Sequence, residues 1–193
     1  MNRIARLGLF VGLLLAAPEL GVAEAQETGT SNEPRPASPA LSPVDYDFMA
    51  QANLGAEFQV DSGRLAEKKA MTPAIREYAH EMVATHGPAR DALDRLMARE
   101  GLQAPPEALL KGAYNAIMSS LEEAADVTAF ERDYMRSQVE YQKANAALLQ
   151  NEVQYGSDPD LKEFARSTLP NVEGHVQRAS KIAGDVKRRL LTH

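Results

Sequence analysis

The chain has 193 residues, no cysteine and a net charge of −6. With no thiol there is no disulfide, no cysteine nucleophile and no thiolate metal site. The balance of 27 acids against 21 bases gives no footing for nucleic-acid binding. The length suits one domain of ordinary size, held by its core alone.

The first element is a leader. Arg3 and Arg6 precede the apolar run Leu7–Ala17, "LGLFVGLLLAA", and "AEA" at Ala23–Ala25 supplies a small-x-small cleavage site. Together these predict a secretory signal peptide over 1–25. The run falls short of the roughly 20 residues of a spanning helix, so an uncleaved anchor is the lesser alternative. No stable membrane span is expected after cleavage, and the expected location is the periplasm or the extracellular space. Residues 26–43, "QETGTSNEPRPASPALSP", are rich in Pro, Ser, Thr and Glu and read as a tether. The folded domain is expected over 44–193.

From there the pattern is helical. Helix A is expected over 45–70. Helix B opens with Thr72 as N-cap and Pro73 at its first position, and ends at Gly101. Pro105, Pro106 and Glu107 open a shorter helix with Leu110, Ala113, Ile117 and Leu121 on one stripe. Helix C runs from 127 to 155 and stops at Gly156. Asp158 caps helix D, which runs to about Leu190 with Pro170 inside it, where a kink is expected. The basic end Lys187–Arg189 suits the negative pole of a helix C-terminus. Four long amphipathic helices with one long central crossover that carries an extra short helix predict an all-α, ferritin-like four-helix bundle. A coiled-coil dimer is the competing architecture, disfavoured by the Gly and Pro at each proposed turn.

The stretch Met82–Leu96, "MVATHGPARDALDRL", puts a histidine in an apolar stripe. Ile75, Ala79, Met82, His86, Ala89, Leu93 and Leu96 alternate steps of four and three, so His86 faces inward. Helix B also holds one Glu-x-x-His, Glu77 to His80, the spacing by which di-iron bundles present two ligands. On the helical wheel it points away from the seam. Helix C's seam reads Val127, Phe130, Tyr134, Tyr141, Leu148 and Glu152. Helix D's reads Leu161, Ala165, Val172, Ala179, Ile182 and Val186, with His175 on the flank. In helix A, Leu54, Phe58 and Leu65 lie inside, with Glu57 and Asp61 nearer the edge. The helix midpoints fall beside Glu57, His86, Tyr141 and His175, which suggests a central polar layer. Carboxylate and imidazole donors suit a transition-metal ion. A hydrogen-bonded layer that fixes helix register needs no metal and is the preferred reading. Arg90, one turn beyond His86, opposes a bound cation unless it pairs with Glu57 or Asp61.

The run "GAEFQVDSGRLAEKKAMTPAIREYAHEMVATH", then "AFERDYMRSQV" and "DPDLKEFARSTLPNVEGHVQRA", resembles the DUF4142 family over about 44–182. The resemblance implies a ferritin-like bundle, often exported, with no assigned reaction. It carries over Glu57, His86 and His175 as candidate metal ligands; Tyr141 and Arg90, placed by their positions on helices C and B, are the polar-layer candidates beside them. Members usually have a helix C histidine where this chain reads "VEYQKAN", with Tyr141 and Gln142. Three function classes follow. The first is a non-catalytic exported module, envelope- or stress-associated. The second is a protein that stores or carries a transition metal. The third is a dinuclear redox enzyme, disfavoured because only one Glu-x-x-His occurs and it faces outward. No catalytic residue is assigned, and the partner and any homo-oligomer stay open.

Overall fold

Residues 41–99 and 108–192 are described by a computed structural model. The expected leader, most of the tether, and Gly101, Pro105, Pro106 and Glu107 lie outside the described residues, as does the side chain of Leu110. Among the described residues there are five helices: α1 Pro43–Lys69, α2 Pro73–Arg99, α3 Ala108–Glu122, α4 Val127–Tyr155 and α5 Pro159–Leu191. The domain is all-α. The helices α1, α2, α4 and α5 form a four-helix bundle on the ferritin-like plan, and α3 sits in the crossover against α1 and α4. No helix among the described residues is long and apolar enough to cross a membrane.

Local chemistry sets the helix ends. Ser42 and Asp45 form a capping box at the start of α1: the Asp45 backbone N–H donates to Ser42 Oγ at 3.2 Å, and Asp45 Oδ2 accepts from the Ser42 backbone N–H at 2.6 Å. Asp126 accepts from the Ala129 N–H at 2.7 Å, and Asp158 accepts from the Asp160 and Leu161 N–H groups at 2.9 Å each. Thr72 departs from its expected capping role. Its hydroxyl donates across the bundle to Glu131 Oε2 at 2.6 Å, while Glu131 Oε1 accepts from the Met71 and Thr72 N–H groups at 2.9 and 2.7 Å. A buried carboxylate on α4 out-competes a local cap because a charged acceptor makes the stronger hydrogen bond.

Two apolar clusters build the core. One, around Ile75, Met82, Phe130 and Met135, fills the end with the α1–α2 turn. The other, around Phe48, Leu93, Leu149 and Leu161, fills the end with the α4–α5 turn. Between them lie buried polar groups: Gln59, Ser62, His86, Gln138, Gln142 and His175. The expected seams of α2 and α5 are buried, apart from the half-buried Ala89. The α4 seam is corrected. Val127, in the first turn of α4 at the bundle end, is 41% exposed. Further along, Tyr141 and Leu148 are half-buried while Gln138, Gln142 and Leu149 are buried. A straight helix drifts about 20° per seven residues from a strict heptad seam, so the inward face moves off the 134–141–148 line. Pro170 lies inside α5 without ending it, and so does Pro88 inside α2, two residues beyond His86.

Candidate functional site

His86 and His175 meet in the polar layer. Each is only 6% exposed, and their ring centres are 5.7 Å apart at 41°. The α2 seam brings His86 inward. Val172 and Ala179, one turn away on either side on α5, and Ile182, two turns away, are buried and bring His175 inward with them. Tyr141 stands edge-on to His86 at 6.3 Å. Gly55 on α1 makes room for it: a Cβ there would collide with the Tyr141 hydroxyl and lie 2.9 Å from its ring. Phe58 stacks on Tyr114 of α3 at 4.8 Å and touches Tyr141 at 5.7 Å, which closes the layer on that side.

The polar contacts are specific. Gln142 Nε2 donates to Met82 Sδ at 3.1 Å and faces His86 Nε2 at 3.5 Å. His175 Nε2 lies 3.5 Å from Glu81 Oε1, and Glu81 is also paired with Arg178. Burial holds His86 far below the ordinary imidazole value, at about 3, with the charge of His175 adding to it. Burial also lowers His175; Glu81 opposes this and Arg178 reinforces it. Both rings are therefore neutral at neutral pH. Burial likewise pushes the Tyr141 hydroxyl well above the usual phenol range, so it stays protonated.

Of the residues singled out from sequence, the structure brings His86, His175 and Tyr141 together. Glu57 is engaged elsewhere: its carboxylate lies 3.4 Å from Arg90 and 3.6 Å from Lys111. Arg90 therefore does take the partner that the sequence allowed it. Among the described residues no three of His, Cys, Asp and Glu cluster closely enough to hold a metal ion. Glu77 and His80 face outward. His80 is 78% exposed and pairs with Glu67 at 2.9 Å. The sequence reading overlooked Glu81, Met82 and Gln142 as members of the site. A signal was available: Tyr134, Gln138 and Gln142 recur every four residues, and Met82 precedes His86 by one turn.

A second buried polar site sits at the other end. Glu152 is fully buried beside Asp45, and its carboxyl is pushed up to about 8 by burial first and by Asp45 next. Asp45 Oδ1 accepts from the Ser157 and Asp158 N–H groups at 2.8 and 3.2 Å. This ties the first turn of α1 to the α4–α5 turn.

The family model described as a domain of unknown function, DUF4142, matches residues 30–182, most of the chain. The chain belongs to the DUF4142 family. No curated protein matches this DUF4142 chain. It is similar in structure to a DUF305 fragment from Deinococcus radiodurans, with a TM-score of 0.68 and 14% identity, over 76% of this chain and 99% of that one. At that identity the likeness concerns the fold.

Proposed function

We propose that this DUF4142 domain is an exported, non-catalytic module in which the mid-bundle imidazole layer fixes the register of the helices. The observation that carries this reading is the closure of the pair: each ring is only 6% exposed and lies against a polar neighbour on another helix. An efficient acid or base at neutral pH has a pKa near the working pH. His86, held at about 3, is far from that range. Both rings are closed off from solvent and lie against Gln142 and Glu81. Export rests on the charged, apolar and small-x-small segments of residues 1–25. The intact mass of the secreted form tests it: the expected first residue is Gln26, and a mass that still includes 1–25 overturns it.

A second reading is a transition-metal binding module, and one observation favours it. Two neutral imidazoles stand 5.7 Å apart with the Met82 thioether beside the Gln142 amide that faces His86. Imidazole and thioether donors suit soft ions. One comparison separates the readings. His86→Gln and His175→Gln are melted beside the wild type with and without added zinc, copper or manganese. The register reading expects a modest fall in Tm for each variant and no metal response in any of the three proteins. A micromolar metal effect on the wild type, through binding to the native state, that both variants lose would overturn it in favour of the metal.

A further inference from the structure

At the end of the bundle that carries the α1–α2 turn, an open groove of about 420 Å³ runs between α4 and α5. Its volume falls within the roughly 300–1,000 Å³ of small-molecule clefts. Val139, Ala183 and Val186 form an apolar floor, with Leu190, itself 40% exposed, at the outer end. The floor packs on the apolar cluster beneath and is fixed in place.

The rim is basic although the chain is acidic. Arg132 and Arg136 flank the groove from α4 and share one carboxylate, Asp133, at 2.9 and 3.3 Å. Two guanidinium groups on one acid leave a positive excess. Lys187 faces them from α5, and no carboxylate pairs with it among the described residues. Glu140 lies at the inner end, eight residues further along α4 than Arg132. At 1.5 Å per residue the groove is about 12 Å long, about 6 Å of it beyond Arg136. Its lining therefore runs from Arg132, Arg136 and Lys187 in the mouth half to the apolar Val139 and Ala183 further in, with Glu140 at the inner end. A purely apolar occupant leaves the mouth unmatched, and a cationic one is repelled there.

We infer that the groove binds a free fatty acid, with the alkyl chain on Val139, Ala183 and Val186 and the carboxylate between Arg136 and Lys187. The inference goes beyond the register reading and does not depend on it.

The test is a methyl NMR titration of the mature protein with sodium hexanoate, octanoate and decanoate below their micelle concentrations. The methyls of Val139, Val186 and Leu190 are expected to shift saturably. Affinity is expected to rise roughly three- to fourfold per methylene while the added carbon still lies on the floor, and to level off for longer chains. Arg136→Glu with Lys187→Glu is expected to weaken decanoate binding at least tenfold while leaving decanol unchanged. Ala183→Leu, which fills the floor at a half-buried position, is expected to weaken both ligands. Four results would overturn the inference. They are the absence of saturable shifts, equal binding of decyltrimethylammonium, affinity that climbs with chain length without a plateau, and the same shifts appearing on raising protein concentration alone. The last would make a second copy of the chain the occupant.

Discussion

Alkaline pH should weaken this fold through a single carboxyl. Glu152 is buried beside Asp45 with its pKa raised from 4.5 to about 8. The folded protein therefore holds a proton that the unfolded chain releases. The resulting stability is complete below pH 4.5 and is lost as pH rises through 8. At pH 6.5 the folded-state shift still contributes about 2 kcal/mol, from 1.5 pH units at 1.36 kcal/mol each. By pH 9 almost none is left. The two buried histidines act in the opposite direction. Their lowered values stabilise the fold above the ordinary imidazole range, and that stability falls as pH drops through 6.5 and on toward the folded values, so between pH 6.5 and 9 they add about 0.4 kcal/mol each as pH rises. The histidines act alike in the wild type and in Glu152→Gln, so the comparison of the two from pH 6.5 to 9 isolates Glu152. Urea titrations across that window should show the wild-type midpoint falling by about 1 M relative to the variant, given a slope on the order of 2 kcal/mol/M. Glu152→Gln keeps the shape and carries no charge, so its own midpoint should not fall over the same window. Parallel profiles for the two proteins would refute the assignment.

Two further outcomes follow from the packing. Glu131→Ala removes three hydrogen bonds to a buried carboxylate at the α1–α2 turn, and should cost on the order of 3 kcal/mol. Thermal melts would read this as a drop of roughly 6–12 °C, and a drop under about 2 °C would mean that water replaces the carboxylate at little cost. Gly55→Ala should destabilise by about 1–3 kcal/mol because its Cβ meets the Tyr141 ring. Gly174→Ala, exposed on α5 with nothing within 4 Å of a Cβ, should be neutral or stabilise by up to about 1 kcal/mol. Equal denaturation midpoints for the two glycine variants would count against the close approach.

The sequence made the helices legible because their ends are written locally. Pro73, Gly156, Asp158 and Pro159 punctuate the chain, and the three-four spacing of α2 is enough to place His86 on the inward face. What was not legible depends on contacts between helices. Thr72 looks like a cap until Glu131, about sixty positions away, takes its hydroxyl. Gln138 and Gln142 belong to a residue type that is mostly exposed, and this outweighs the four-residue spacing that puts them on the buried face with Tyr134. Glu57 sits at the right depth, but Arg90 and Lys111 draw it toward the edge. Depth along a helix is readable from residue number, whereas the partner of a charged group depends on which neighbouring helix brings a counter-charge.

The two carboxylates that reach across the ends of the bundle deserve comparison with a covalent staple. Glu131 pins the α1–α2 turn to α4, and Asp45 pins the start of α1 to the turn between α4 and α5. Disulfides secure such places in many proteins, and this chain has no cysteine to do so. A thiol reductant or an oxidising surrounding leaves both clamps untouched. The Asp45 clamp answers to protons instead: burial raises its carboxyl, but hydrogen bonds from Ser42, Ser157 and Asp158 outweigh this and hold it below the ordinary carboxylate range, and strong acid gives those bonds up. The acidity of its surroundings, and not their electron potential, governs whether that end of the bundle holds.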